Sequence, residues 1–306
     1  MPATFACGHC GASLGFAGVR TATCPYCASP NFVERPASAQ PPHPAFVIAF
    51  AGGAARARAQ LAAWLGGRSW FADARLAHAR VEDLRGVYVP AYLYSAVADT
   101  EYTAAIGEHY TATETRETRD ARGELRRETR QVTRTEYRAL AGRHVGYVTD
   151  VLVSASQGLA AAELRALEPY ELGQLRRYAP ALVTGWIAEE FSRDAEACRQ
   201  ASRDAALDDI GLALRKFLPG DSHSDLAWRT TVRWESLDPI LVPVWVLALR
   251  YRRDRPALRV VINGQTGAVA GRVPLTGWKV ALAIAAAVVV AAAVIAAIAL
   301  HGGPPG

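Results

Sequence analysis

Hydrophobic residues alternate, cluster and finally run uninterrupted along this chain, and each regime predicts a different element. "AFVIAF" (residues 45–50) is a short apolar strand candidate, broken by Gly52 and Gly53. "AARARAQLAAWL" then sets Leu61, Trp64 and Leu65 at helical spacing, which predicts a helix. "GVYVPAYLYSAVADTEYTAAI" is dense in aromatic and β-branched residues and predicts strand. Pro90 assigns that strand to a sheet edge or a strand start, because proline cannot donate to a ladder. From Tyr110 to Arg138 threonine alternates with charge on both sides of "DARG", predicting a long antiparallel hairpin that turns near Asp120 to Gly123. Glutamates interleave with its arginines, which favours a solvated ribbon with cross-strand Glu–Arg pairs over an arm for lipid headgroups. "DVLVSAS" reads as strand, "LEPYELGQLRRYAPALVTGW" as loop, and a helix is expected from about Ile187 to Phe217. "ILVPVWVLALRY" echoes "GVYVPAYLYSAV" and points to a duplicated α+β unit. Asn263-Gly264 and Thr266-Gly267 then mark tight hairpin turns.

The last regime is the plainest. From Val280 to Leu300, twenty-one residues carry no charge and no proline. At about 1.5 Å per residue they span roughly 30 Å, the thickness of a bilayer's hydrocarbon core. Ten of them are Val, Ile or Leu, each favouring insertion by about 0.3 to 0.6 kcal/mol. A buried core helix would leave a polar stripe, and this segment has none. Arg272, Trp278 and Lys279 precede the segment and "HGGPPG" follows it. Basic flanks stay on the cytoplasmic side, so the expectation is a tail-anchored protein of the plasma (inner) membrane with its bulk in the cytoplasm.

A reducing compartment changes how the cysteines read. Four of the five lie in "CGHCGASLGFAGVRTATCPYC": Cys7 and Cys10 form one pair, Cys24 and Cys27 another, with thirteen residues between the pairs. Two tight turns, each presenting two thiolates, match a closed tetrahedral site for one structural Zn²⁺. Such a site leaves no open position for catalysis. "CPYC" also has the form of a redox pair, but no thioredoxin-like strand–helix unit surrounds it. "GASLG" matches a hydrolase nucleophile elbow by accident, since it lies in a short loop between the cysteine pairs. His9 is surplus to a complete four-sulfur set. Cys198 sits on the apolar side of its helix as a small buried hydrophobe. Glu189-Glu190 and Asp208-Asp209 read as surface charge, because neighbours on a helix diverge and cannot share a proton.

The chain thus reads as α+β: a zinc ribbon (1–34), a proline-rich linker (35–44), an α+β body with antiparallel hairpins (45–275), a transmembrane helix (277–300) and a short tail (301–306). The linker reaches up to roughly 30 Å if extended, enough to hold the ribbon clear of the body, with Phe16, Tyr26 and Phe32 as exposed contact groups. So small a module has no core without its metal, so chelation is expected to unfold residues 1 to about 34 alone.

The two cysteine pairs, "GVYVPAYLY", "VLVSAS", "EPYEL", "LVPVW" and "VINGQTG" before a terminal apolar helix resemble a family of bacterial membrane-anchored zinc-ribbon proteins. That family is associated with phage-shock-protein-A-like and flotillin-like (SPFH) membrane proteins, and its members are often labelled replication factor Y or primosomal N′-type zinc-ribbon proteins. The resemblance implies that Cys7, Cys10, Cys24 and Cys27 ligate zinc and that the partner is a membrane-associated protein of one of those two kinds. Helicase chemistry is not implied: a phosphate-cradling loop needs G-x4-G-K-[ST], and neither of the chain's two lysines, Lys216 and Lys279, follows such a pattern. The reading that emerges is a non-enzymatic adaptor that docks proteins at the membrane in envelope stress, with no small-molecule substrate. The alternative is a membrane-tethered nucleic-acid binder, but Arg20 is the sole basic residue among residues 1–34 and phosphate affinity scales with cationic contacts.

Overall fold

The computed structural model describes residues 4–15, 23–27, 29, 32–35, 42–67, 70–119, 125–252, 254–255 and 257–301. Most of the linker, Phe16 and the hairpin turn at 120–123 lie outside the described residues, as do the side chains of 32–35.

In chain order the elements are β1 (Thr4–Cys7), β2 (Ser13–Gly15), β3 (Phe32–Arg35), β4 (Phe46–Val47), α1 (Ala54–Gly66), β5 (Arg80–Arg119), β6 (Leu125–Ser154), α2 (Ala161–Arg165) and β7 (Arg176–Arg177). They continue with α3 (Pro180–Val183), β8 (Ile187–Glu189), α4 (Ala195–Phe217), β9 (Ser222–Arg250), β10 (Leu258–Asn263), β11 (Val269–Gly271) and α5 (Gly277–His301). The chain folds as mixed α+β, in two compact units: Met1–Ala91, Ser154–Arg193 and Pro239–Gly306 make the first, Tyr92–Val153 and Asp194–Asp238 the second. Strands β5 and β9 each contribute to both.

In the first unit the strand path is β11-β10-β9-β5-β8-β2-β1-β3, and β4 pairs with β7 and β9. The sheet is antiparallel at β9–β10 and parallel where Val87 and Tyr88 of β5 face Ile187 and Ala188 of β8. One face carries α1, whose Ala57 and Leu61 pack with Leu76, Trp245, Leu247, Leu249, Val260 and Ile262. Burying one such leucine contributes about 1.5–3 kcal/mol. Phe50 stacks on Trp186 at 4.0 Å and meets Tyr88 and Trp245 edge-on at 5.1 Å each. Asn263 is 1% exposed, where β10 turns toward β11. Its Nδ2 donates to the carbonyls of Leu167 and Pro169, and its Oδ1 accepts from the backbone N–H groups of Gln265 and Thr266. The hairpin expected at Asn263–Gly267 therefore forms, locked from inside by its first residue.

Two expectations fail here. Pro90 lies neither at an edge nor at a strand start: it is buried within the forty-residue β5. The β8 pairing ends at Tyr88, before Pro90, and the Pro90 carbonyl accepts from the Ala155 N–H of the loop after β6. Pro243, at the centre of the echoed phrase, is placed alike, with Gly264 N–H donating to its carbonyl. The helix expected from Ile187 is a strand as far as Glu189, and helix starts only at Ala195. Asp194 accepts from the Ala197 N–H there, a cap that fixes the start.

In the second unit, α4 turns Cys198, Ser202, Ala205, Ala206, Gly211 and Leu214 inward, so Cys198 is buried as expected. Gly211 lets the indole of Trp228 approach: a Cβ there would come within 2.8 Å of it. Asp208 and Asp209 face solvent. Glu235 of β9 accepts from Tyr94 at 2.8 Å and is gripped by both nitrogens of the Arg203 fork. The β5–β6 ribbon is laced by exposed pairs, Glu114–Arg134 and Glu117–Arg127, as a solvated ribbon should be.

The apolar block forms α5; over Gly277–Ala296 it is long and apolar enough to cross a membrane and none of it is buried against the rest of the chain.

Replacing Asn263 with alanine removes one side chain but strands four buried backbone groups. The expected loss is roughly 2–4 kcal/mol, read from urea unfolding of the protein in detergent.

Candidate metal centre

The first knuckle grows out of β1. Its last residue, Cys7, accepts the Gly11 N–H at 3.0 Å and donates to the Ala12 carbonyl at 2.9 Å, closing a turn that carries Cys10. Gly11 adopts φ +76°, and a Cβ there would also strike Gln157 Oε1 at 2.7 Å, so only glycine fits. The second knuckle runs through Pro25–Cys27, with Cys24 N–H donating to the Ser29 carbonyl. The two turns bring Cys7 Sγ to 3.5 Å from Cys27 Sγ and Cys10 Sγ to 3.6 Å from Cys24 Sγ, and all four sulfurs lie within 4.8 Å of one another.

That spacing fits a metal ion. Four sulfurs about 2.3 Å from a tetrahedral centre sit roughly 3.8 Å apart. Cys7 and Cys24 are buried and the other two half-buried, so the centre is closed. As thiols Cys10 and Cys27 resist ionising beside their neighbours. The hydrogen bond to Cys24, with burial, pushes Cys10 far above the thiol range, and burial with the hydrogen bonds of Cys7 and Cys10 pushes Cys27 up to about 11. A metal ion among them would supply positive charge and favour the thiolates. All four residues named from the sequence are thus brought together; His9 is exposed.

The ribbon does not stand clear of the fold. β2 pairs with β8, Leu14 opposite Glu189 and Gly15 opposite Ala188, and the Glu190 N–H donates to the Ser13 carbonyl. Tyr26, between Pro25 and Cys27, is 4% exposed and so is no surface contact group. Its hydroxyl donates to Glu189 Oε2 at 2.5 Å, and its ring lies under the Arg259 guanidinium, 5.3 Å away. Ser156 Oγ donates to Glu189, 2.7 Å from either carboxyl oxygen, and accepts from the Leu159 N–H. Arg259 reaches the Gly158 carbonyl and Glu163. Gly158 itself lies against the Tyr26 ring, where a Cβ would be 2.7 Å away.

Glu189 therefore corrects a second reading: it is not surface charge but 3% exposed on a strand. Burial drives its carboxyl up to about 7, outweighing Tyr26, Ser156, the Gly158 backbone and Arg259, all of which favour the ionised form. Ser156 and Arg259 have no role in the sequence reading, and Tyr26 and Glu189 have surface roles there that their burial overturns. The alternation in "WIAEEF", which sets Ile187 and Glu189 on one side, is the signal that marks Glu189 as facing inward. Glu189 also borders an apolar cavity of about 430 Å³ walled by Pro44, Tyr178, Val183, Trp186 and Leu241.

Among known proteins, the chain is similar to the uncharacterized protein YdjG of Bacillus subtilis (strain 168), 25% identical over 138 residues. That stretch covers 42% of this chain and 38% of the relative, so the chain matches well under half of that protein's length. No family model matches the chain, and no solved structure does.

Between its ordinary 4.5 and about 7, the folded Glu189 holds a proton that an unfolded one has released. The folded state therefore binds more protons in that window, and the stability this group contributes, complete below pH 4.5, is lost as pH rises toward 7. The effect is on the order of 3 kcal/mol. Unfolding across that range should show the decline in the native protein and a flatter curve in Glu189→Gln.

Proposed function

We propose that the protein is a membrane-anchored zinc-ribbon adaptor, without enzymatic activity, that docks a membrane-associated protein at the cytoplasmic face of the plasma (inner) membrane. Zinc is the metal that four closely set cysteine sulfurs suit best in a closed site. The observation that carries the docking reading is the surface beside the ribbon: a cavity with Tyr178, Trp186 and Phe191 in its wall and the half-buried Glu190 at its edge. Mainly apolar, it suits a partner's side chains and offers no cluster of cations for phosphate. Because β2 and Tyr26 fix the ribbon to the sheet, the adaptor offers a rigid platform rather than a head on a tether. The resemblance drawn from "GVYVPAYLY", "LVPVW" and the cysteine pairs nominates a phage-shock-protein-A-like or flotillin-like partner, and an envelope-stress setting.

The purified chain should carry one zinc, and deleting 277–306 should release it from membranes. Thr184 lines the cavity and is exposed, so Thr184→Arg should leave the zinc in place yet cut co-precipitation of either candidate partner from detergent at least tenfold. Unchanged capture by that variant, together with salt-sensitive retention of DNA, would replace the adaptor with a nucleic-acid binder.

A further inference from the structure

The segment where α5 begins is pinned rather than loose. Thr276 N–H donates to the Phe71 carbonyl and Asp73 N–H to the Pro274 carbonyl, with an isolated bridge between Ala72 and Leu275. The Lys279 ammonium donates to the Trp70 carbonyl at 2.8 Å and lies 4.9 Å from the Trp70 ring and 6.0 Å from that of Trp278. Both indoles are more than half exposed, as is Leu275. Two exposed tryptophans and a lysine at the mouth of an apolar helix mark the level of a membrane's headgroups.

At that level lies a cavity of about 510 Å³, lined by Arg75, Arg252, Arg255, Lys279 and Asp73 along with the first residues of α5. Four cations face it. Against them stand Asp73, whose carboxylate is turned to the Arg75 N–H, and Asp254, which Arg252 grips at 2.5 and 2.8 Å. Four positive and two negative charges leave a surplus of two. Among the described residues no ion pair engages Arg75 or Arg255. No acid stands in the first turn of α5, so the partial positive charge of the helix start adds to that surplus. The hairpin's Arg127 and Arg134, by contrast, are each matched by a glutamate.

We propose that this cavity holds the phosphate of an anionic phospholipid, with Arg75 and Arg255 as its contacts and Trp70 and Trp278 against the upper acyl chains. The inference rests on α5 crossing a bilayer. It assigns to the protein a lipid preference that anchoring alone does not require.

The full-length protein would be inserted into vesicles of phosphatidylcholine alone or mixed with phosphatidylglycerol, re-extracted in mild detergent, and its retained lipid counted by mass spectrometry. Phosphatidylglycerol should be enriched on the native protein. Arg75→Gln/Arg255→Gln should insert equally but retain roughly thirtyfold less, while Arg127→Gln/Arg134→Gln retains it as the native chain does. Equal retention by the first double variant, equal loss from both, or displacement of the lipid by millimolar inorganic phosphate would each overturn the assignment, the last exposing a site for soluble phosphate. Failure to insert into either vesicle would remove the membrane reading itself; insertion without enrichment removes the lipid site alone.

Discussion

A carboxylic acid buried in a sheet must be satisfied from every side, and Glu189 sets this constraint on the metal-bearing unit. Leaving a charge of that kind unpaired costs several kcal/mol, more than any single leucine of the core contributes. Its partners come from three separate stretches of chain: Tyr26 from the second cysteine knuckle, Ser156 from the loop after β6, and β2 from the ribbon alongside. Arg259, reaching from β10, covers the Tyr26 ring and ties down the Gly158 carbonyl. The Tyr26 contacts among these require the second knuckle to hold its shape. The four sulfurs that shape it are therefore connected, through one tyrosine, to the hydrogen bonding of the sheet.

How much of this was legible follows from distance along the chain. The metal centre was readable because each cysteine pair is a local turn, and the spacing alone dictates where four sulfurs can meet. The α1 helix and the Asn263–Gly267 turn were readable for the same reason. The Tyr26–Glu189 bond joins residues 163 apart and leaves no local trace, so the proline-rich stretch was taken as a tether and the ribbon as free. Ile187–Glu189 was absorbed into the following helix because its apolar residues also suit helical spacing, whereas the cap at Asp194 marks the true start. Pro90 misled for a subtler reason. The rule that bars proline from central strands concerns residues whose N–H would join a ladder, and the β8 ladder stops at Tyr88, short of Pro90.

Charge is distributed with a similar logic. Arg127, Arg134 and Arg138 of the β5–β6 ribbon are spent on neighbouring glutamates, and Glu235 and Asp99 in the same unit hold theirs by hydrogen bonds, Asp99 falling below the usual carboxylate range chiefly through Arg143. Arg75, Arg252, Arg255 and Lys279 line one cavity where α5 begins, beside exposed indoles. A chain that is only mildly basic as a whole thus sets four cations together next to the helix suited to a bilayer. The cavity beside the ribbon, in turn, is walled mainly by apolar groups.

Hydrogen exchange of the full-length protein in detergent, before and after chelation, tests most directly whether the metal centre and the sheet form one structure. If they do, removing the metal strips protection from Ile187–Glu189 and from residues 155–159 along with residues 4–15, because β8 loses its β2 partner and Glu189 loses Tyr26. Exchange that rises only within residues 4–35, with β8 as protected as before, would contradict this and return the ribbon to an independent module.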